Sequence, residues 1–164
     1  MDRPLRLVLL RHAKSDWSTP GLSDFARPLN ARGRRDAPRV GEELLRRGWR
    51  CSHVLCSAAQ RARETWAAIE PILGPGATVR VSEGLYLAGV DSILAELAGL
   101  PAGASSVLAI GHNPGWEEAV AWFSGQSPAL KTANAALLEG PAPWTAPARA
   151  SWTLVDLIRP GDIG

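Results

Sequence analysis

A short, almost continuous apolar run, Leu5 to Leu10, stands near the start of the chain and ends in Arg11-His12. A short run without alternating polar residues is typical of a strand that is buried on both faces, and such strands occur in sheets covered by helices on both sides. Shorter apolar or alternating stretches predict five further strands, at residues 53–56, 78–81, 106–110, 135–138 and 152–158.

Helical segments are predicted between these strands. Asn30 is a suitable N-cap for a helix that runs to about Arg47, and Gly48 suits the position after its end. Pro38 lies within this helix and predicts a kink or a later start, because proline lacks a backbone donor. Three more helices are predicted, from near Ala58 to Ile69, from Asp91 to Leu97, and from Pro114 to about Ser124.

Strands that alternate with helices predict an α/β fold, a three-layer α/β/α sandwich around a central, mostly parallel sheet. The length of 164 residues predicts a single domain spanning residues 1–164. Residues 15–29 are predicted to form a long loop, and residues 140–147 a proline-rich one. The tetrapeptide Ser57-Ala58-Ala59-Gln60 has the form of a capping box before the second helix.

Charge and cysteine content exclude several classes of protein. The 18 Lys and Arg against 16 Asp and Glu give a net charge of +2, too small for the broad basic surface of a nonspecific nucleic-acid binder. Cys51 and Cys56 fit neither a disulfide framework nor a CxxC site, which favours a reducing cytoplasm. The apolar run Leu7-Val8-Leu9-Leu10 is far shorter than a membrane span. Charges flank it where a signal peptide would need a longer apolar region, so no targeting segment is expected. An arginine-rich stretch comprises Arg32, Arg34, Arg35 and Arg39. We interpret it as a solvated helix face rather than as a docking face for an acidic partner.

Polar side chains collect where the predicted strands end. The first strand ends in Arg11-His12, the fourth in His112, and the second leads into a helix whose first turn carries Arg61. Ligands of open α/β sheets bind beyond the carboxyl ends of the strands, so these side chains are expected to meet there. The combination suits a phosphoryl group.

The charge of the arginine side chains and the pKa of histidine make these residues suitable for phosphoryl transfer. Guanidinium groups bind phosphoryl oxygens in bidentate fashion, which suits Arg11 and Arg61. A neutral imidazole has a free ring nitrogen and is a competent nucleophile towards phosphorus, so one histidine can accept the phosphoryl group. The other histidine, when protonated, can donate a hydrogen bond to the same oxygens. No second cluster of His, Asp or Glu completes a metal site around His12-x-x-x-Asp16, so no metal is expected.

Three separated motifs resemble those of the histidine phosphatase superfamily: Arg11-His12-Ala13, Ser57-x-x-x-Arg61-Ala62-x-x-Thr65 and Gly111-His112-Asn113. Two longer segments are similar to sequences of the short SixA-type phosphohistidine phosphatases. They are residues 10–17 and the motif Asp24-x-x-Arg27-Pro28-Leu29-Asn30-x-Arg32-Gly33. The resemblance implies a phosphoglycerate mutase-like fold and a reaction without metal or other cofactor. It also implies that His12 is the nucleophile, that Arg11 and Arg61 bind phosphate, and that His112 completes the pocket.

The proton donor is less clearly marked. Glu83, after the third predicted strand, matches the approximate position of the family's acidic donor, and Asp16 and Asp24 are rival candidates. Ser15 is a candidate substrate-binding residue. It is also a candidate for the mouth of the pocket, with Lys14 and Arg63, and the alternative for each of the three is a scaffold role. Trp17, on the loop beside Arg11-His12, is a candidate to flank a substrate. His53 has no companion motif and is interpreted as a structural or solvated histidine.

These observations lead to three hypotheses. The first is a phosphatase that uses a phosphohistidine intermediate and acts on phosphohistidine of a partner protein, because a short chain leaves the site open to a bulky substrate. The second is a phosphatase of small phosphomonoesters. The third is a catalytically idle phosphate-binding module, which the complete set of motif residues disfavours. Neither nucleic acid nor a membrane is expected as a partner.

Overall fold

Six strands form one sheet in the protein, for which a computed structural model describes residues 3–163. The order across the sheet is β3-β2-β4-β1-β5-β6. The strands are β1 (Leu5–Arg11), β2 (His53–Ser57), β3 (Thr78–Ser82), β4 (Ser106–Gly111), β5 (Ala135–Gly140) and β6 (Thr153–Ile158). All six predicted strands are confirmed.

The sheet is mostly parallel, as predicted. Strands β1 to β4 run in the same direction, β5 is antiparallel to β1, and β6 is antiparallel to β5. The carboxyl ends of β1, β2 and β4 therefore meet at one edge of the sheet. The start of β5 and the end of β6 lie at that same edge.

Four α-helices flank the sheet: α1 (Ala31–Arg46), α2 (Gln60–Leu73), α3 (Val90–Ala98) and α4 (Gly115–Ser124). Two single turns of 3₁₀-helix, η1 (Glu83–Leu85) and η2 (Pro160–Asp162), follow β3 and β6. No helix within residues 3–163 is both long enough and apolar enough to cross a bilayer.

Helices cover both faces of the sheet, which confirms the three-layer sandwich. One apolar cluster joins the sheet to α1 and α2, and a second joins it to α3 and α4. In β1, Leu7 and Leu9 belong to the second cluster, whereas Val8 and Leu10 belong to the first. The continuous apolar run is thus explained, because successive side chains of a strand point to opposite faces.

Helix α1 begins where its cap predicts. The side chain of Asn30 accepts a hydrogen bond from the backbone of Gly33 at 2.9 Å, and the first helical residue is Ala31. The alternative of a later start because of Pro38 is wrong, since one helix continues through this proline. The missing donor costs one hydrogen bond, while Val40 and Leu44 remain fully buried against the sheet.

The capping-box prediction is also wrong. Helix α2 begins at Gln60, and its N-cap, Ala59, makes no side-chain capping bond. Ser57 is instead the last residue of β2, and its hydroxyl pairs with a ring nitrogen of His112. Helix α4 starts one residue later than predicted, at Gly115, because Pro114 occupies the N-cap position.

Candidate active site

A cavity of about 390 Å³ opens at the sheet edge where β1, β2 and β4 end. Its walls bring together five of the predicted site residues: Arg11, His12, Ser15, Arg61 and His112. Asp24, one of the rival proton donors, also lines this cavity. The convergence follows from topology, because the parallel strands deliver their last residues to one place.

His12 directly follows β1 and is only 6% exposed. Its Nδ1 lies 2.7 Å from the carbonyl oxygen of Ala13, which can only accept, so the proton resides on Nδ1. Its Nε2 accepts a hydrogen bond from Nε of Arg61 at 3.2 Å. Burial, with smaller contributions from the charges of His112 and Arg61, lowers the pKa of His12 to about 3. The imidazole is therefore neutral at pH 7 and presents a lone pair on Nε2.

His112 follows β4 and faces His12, with 5.2 Å between the ring centroids. Its Nε2 is 2.7 Å from the hydroxyl oxygen of Ser57, and its Nδ1 is 3.4 Å from Nη2 of Arg61. Burial and then the charge of Arg61 lower the pKa of His112 to about 4. This ring is thus neutral in the absence of a phosphoryl group.

Arg61 lies in the first turn of α2 and is held by Asp24. Its Nη1 donates to the backbone oxygen of Asp24 at 2.6 Å, and its Nη2 donates to the carboxylate at 3.1 Å. The hydroxyl of Tyr86, together with Arg27 and Arg61, holds the pKa of the Asp24 carboxyl well below its usual range. Asp24 is therefore a carboxylate that orients the guanidinium of Arg61.

Arg11 provides a second guanidinium at the end of β1. Its Nη1 donates to the carbonyl oxygen of Leu130 at 3.1 Å, while its Nε is buried without a hydrogen-bond partner among residues 3–163. An unpaired buried donor is costly, and an oxygen of a bound anion would satisfy it. Burial also lowers the pKa of Arg11.

Ser15 is buried at the wall of the cavity, where its hydroxyl accepts a hydrogen bond from Nη1 of Arg27. The guanidinium of Arg27 also stacks on the ring of Trp17, 3.5 Å from the ring centroid. Trp17 therefore flanks the pocket as predicted, but Arg27 was not identified as a site residue. The signal was present in the motif Asp24-x-x-Arg27, because a carboxylate three residues from an arginine suits an ion pair.

Thr65 joins two of the motifs physically. Its hydroxyl accepts a hydrogen bond from the backbone of Ala13 at 3.0 Å and donates one to the carbonyl oxygen of Arg61 at 2.7 Å. The segment after His12 is thereby fixed to the first turn of α2. The spacing Arg61-x-x-x-Thr65 places the hydroxyl one helical turn after the arginine, where this bond forms.

Of the other predicted residues, Glu83, Asp16 and Arg63 lie outside the cavity that contains His12. Glu83 is exposed in η1, and neither it nor Asp16 lines the cavity. Asp16 accepts a hydrogen bond from the backbone of Ser18 instead. Lys14 does line the cavity, whereas Arg63 lines a different one. Within residues 3–163, no group of three or more His, Cys, Asp or Glu side chains is placed to hold a metal ion.

Comparison with known proteins identifies the family. The "Histidine phosphatase superfamily (branch 1)" profile matches residues 7–86. A solved structure described as "Putative Phosphohistidine Phosphatase SixA" from Nakamurella multipartitia is 33% identical, with a TM-score of 0.83 over 97% of this chain and 99% of that one. The chain belongs to the histidine phosphatase superfamily. The overlap of the fold with that structure along both chains places it with the SixA-type members of this superfamily, as the motif resemblance implied.

The chain is also similar to other proteins. A crystal structure described as the "putative phosphohistidine phosphatase SixA" from Agrobacterium tumefaciens is 28% identical to this chain, with a TM-score of 0.82 over 96% of this chain and 99% of that one. An uncharacterized chloroplastic protein of Arabidopsis thaliana is 39% identical over 82% of this chain and 66% of its own length. An uncharacterized protein of Mycobacterium tuberculosis is 36% identical over 64% and 63%, respectively. The match thus spans about two thirds of these curated relatives.

Proposed function

We propose that this protein removes the phosphoryl group from phosphohistidine of a partner protein, through a covalent intermediate on Nε2 of His12. One observation carries the proposal: the proton of His12 resides on Nδ1, and the unprotonated Nε2 accepts a hydrogen bond from the guanidinium of Arg61. The nucleophilic lone pair and the anion-binding group are thus adjacent. The phosphoryl oxygens would accept hydrogen bonds from the N–H groups of Arg11 and Arg61.

In the first step, Nε2 of His12 attacks phosphorus while the bond from phosphorus to the substrate nitrogen breaks. Substrate phosphohistidine whose second ring nitrogen is protonated leaves as neutral imidazole, so this departure consumes no further proton. The Nδ1 proton of His12 stays in place, and the bond to Ala13 stabilises the positive charge that develops on the ring. Bound phosphoryl oxygens raise the pKa of His112 and favour its donating form.

In the second step, a water molecule attacks phosphorus and the bond to Nε2 of His12 breaks. One water hydrogen remains on the attacking oxygen and the other goes to a phosphate oxygen, so dihydrogen phosphate leaves and His12 returns to its neutral form. Arg11 and Arg61 stabilise the peripheral charge in both steps.

The proton donor depends on the leaving group. Asp24 is ionised and engaged with Arg61, so we assign it a positioning role rather than proton donation. Glu83 stays our candidate donor for alkoxide leaving groups, which need a proton more than imidazole does. Glu83 is the first residue of η1, and Tyr86 follows the end of that turn. The turn would have to move to bring the carboxyl of Glu83 into the cavity.

The surroundings of the cavity support a protein substrate. Trp17 is 73% exposed and Leu87 57% exposed, and both line the cavity that contains His12. Exposed apolar side chains around a polar centre are typical of protein contact surfaces. Two of the similar solved structures are described with the words "putative phosphohistidine phosphatase", which also favours this substrate.

We also propose a cytoplasmic location. Cys51 and Cys56 are both free. Burial raises the pKa of the Cys56 thiol to about 12 and keeps it protonated. Unpaired thiols fit a reducing compartment.

A trapping experiment tests the mechanism. Brief exposure of the wild-type protein to a carrier domain phosphorylated on histidine should leave an acid-labile phosphoryl group on His12. His12→Ala should show neither label nor turnover, and folded Arg61→Ala and His112→Ala should turn over at least about a hundredfold more slowly, as for removal of one anion-stabilising donor. Equal turnover by wild type and His12→Ala would contradict the mechanism.

The substrate class is tested in parallel. Rates on the phosphorylated carrier are compared with rates on a panel of small phosphomonoesters, which are the alternative substrates. The proposal requires a higher kcat/KM on the carrier. Binding of phosphate without turnover of either substrate would instead indicate an idle phosphate-binding module.

A further inference from the structure

A second cavity, of about 290 Å³, lies beside the active site at the same edge of the sheet. It is enclosed by the first turn of α1, by residues 129–134 before β5, and by η2 after β6. Thr132 lines this cavity and also the cavity that contains His12. The two cavities therefore share part of their walls at Thr132.

Cationic side chains outnumber carboxylates among the residues that line the second cavity. Arg32 pairs with Asp36 at 3.5 Å, whereas Lys131 and Arg159 have no carboxylate partner among residues 3–163. Asp162 is the other carboxylate in the wall. Three cations and two carboxylates leave one positive charge in excess, which favours an anionic group.

A buried amide points to the same kind of ligand. Asn134 lines the cavity and is 3% exposed, yet its side-chain nitrogen has no hydrogen-bond partner in the described chain. Buried amide donors are nearly always paired, because an unpaired one costs the full desolvation penalty. An oxygen of a ligand would satisfy this donor, and a negatively charged oxygen would do so best.

The wall of the second cavity is bonded directly to the catalytic strand. Ala133 lies between Thr132 and Asn134 with φ of 60°, a left-handed conformation that a non-glycine residue adopts only where the surroundings hold it. Its backbone N–H is shared between the carbonyl oxygens of Arg11 and His12, each at 3.0 Å. The position of this wall relative to the nucleophile is therefore fixed.

We propose that the second cavity is an anion subsite, which binds a second acidic group of the phosphorylated substrate while its phosphoryl group occupies the pocket at His12. The inference rests on the proposed function for the placement of the phosphoryl group. It adds a specificity: the substrate carries a carboxylate or phosphate close to the reacting phosphorus. A protein substrate supplies this group from an acidic side chain near its phosphohistidine.

Matched small substrates test the subsite. A series of ω-carboxyalkyl phosphates of increasing chain length is compared with ω-hydroxyalkyl phosphates of the same lengths. At the length that spans the two cavities, the carboxylate should lower KM by about tenfold with little change in kcat, as for one charge-assisted hydrogen bond that is partly exposed. Lys131→Ala and Arg159→Ala should lose this preference and leave the kinetics of the hydroxyalkyl phosphates unchanged.

Arg35→Ala serves as the matched control, because Arg35 is an exposed arginine of α1 that does not line the cavity. It should keep the preference for the carboxylate. Absence of a preference at every chain length, or its persistence in the Lys131→Ala, Arg159→Ala double variant, would overturn the subsite.

A binding measurement separates this inference from the proposed function. Calorimetry with the corresponding ω-carboxyalkyl and ω-hydroxyalkyl phosphonates requires no turnover. A carboxylate preference that depends on Lys131 and Arg159 supports the subsite even if no substrate is hydrolysed, in which case only the catalytic proposal fails. Equal affinity of the two phosphonates at all lengths overturns the subsite, whatever the enzyme's activity.

Discussion

At His12, two hydrogen bonds determine which ring nitrogen carries the proton and which one accepts a hydrogen bond. The carbonyl of Ala13 holds the proton on Nδ1, and Arg61 donates to Nε2. Burial has the largest effect and lowers the pKa of His12, whereas the bond to Ala13 raises it by stabilising the protonated ring. Arg61 favours the neutral ring, because a protonated Nε2 would meet the N–H of Arg61. Since burial and the nearby positive charges outweigh the bond to Ala13, Nε2 stays unprotonated at pH 7 without a separate base.

This arrangement predicts the titration of His12. Because the pKa is lowered to about 3, the ring should remain the neutral, Nδ1-protonated tautomer from pH 8 down to about pH 5. Nitrogen-15 NMR of the ligand-free protein reports the tautomer directly, and His12→Asn assigns the signal by its loss. A titration midpoint near the ordinary histidine value of about 6.5 would contradict the assignment.

The central site residues were predictable because their backbone positions follow from strand ends. Arg11 ends β1, and His12 and His112 directly follow β1 and β4, which run parallel and bring their ends together. The bond from Tyr86 to Asp24 was not predictable, because it joins two irregular segments 62 residues apart. Sequence patterns describe regular elements and carry little information about how loops meet.

At the scale of elements, the turn from β4 to α4 depends on one glycine. The ring of Trp116 packs directly on Gly111, where an added Cβ would come within 2.1 Å of the indole. The indole nitrogen also donates to the carbonyl oxygen of Ala109 at 3.1 Å. Helix α4 is thereby held against the strand that presents His112.

Gly111→Ala should therefore damage both stability and activity. Displacement of the indole should lower the free energy of unfolding by about 1–3 kcal/mol, as for overpacking of a core, and should reduce kcat by shifting His112. Urea denaturation and steady-state kinetics measure the two effects. Gly103→Ala is the control, because Gly103 has open space around its Cα and the change should alter stability by less than about 0.5 kcal/mol. Equal behaviour of the two variants would contradict the role of Gly111.

The sequence predicted the number and order of the strands, because six apolar segments are separated by clear helical or loop segments. It failed at Ser57, whose spacing from Gln60 matches a capping box. The hydroxyl of Ser57 instead makes a hydrogen bond with the ring of His112, which follows β4 and lies 55 residues later in the chain. A local pattern cannot reveal that a distant residue competes for the same group.

At the scale of the whole molecule, the buried histidines link stability to pH. In the folded protein the pKa values of His12 and His112 are lowered to about 3 and about 4, whereas in the unfolded chain each is near 6.5. Below pH 6.5 the unfolded chain therefore binds more protons at these positions than the folded one does. The free energy of unfolding consequently falls as the pH is lowered from 6.5 towards 4.

The expected loss is about 2 kcal/mol per histidine between pH 7.5 and pH 5. A double variant, His12→Asn with His112→Asn, should lose correspondingly less stability over this range. Urea denaturation at each pH gives the free energies, and the difference between the two proteins removes the contribution of the carboxylates. Parallel pH profiles would show that the histidines are not the source.

We propose that the chain forms one domain, as its length predicted, because both apolar clusters share the strands of a single sheet. In that case each denaturation curve above should show one transition, with far-UV circular dichroism and tryptophan fluorescence changing together.

The two antiparallel strands place the second cavity beside the strands that lead to the proposed reaction centre. Strands β1, β2 and β4 end next to His12 and His112, whereas the start of β5 and the end of β6 border the second cavity at Asn134 and Arg159. Under the proposed function, substitutions around β5 and β6 would change which substrates bind and leave the residues around phosphorus in place. Substrate choice could then diverge among related chains while the reaction stays the same.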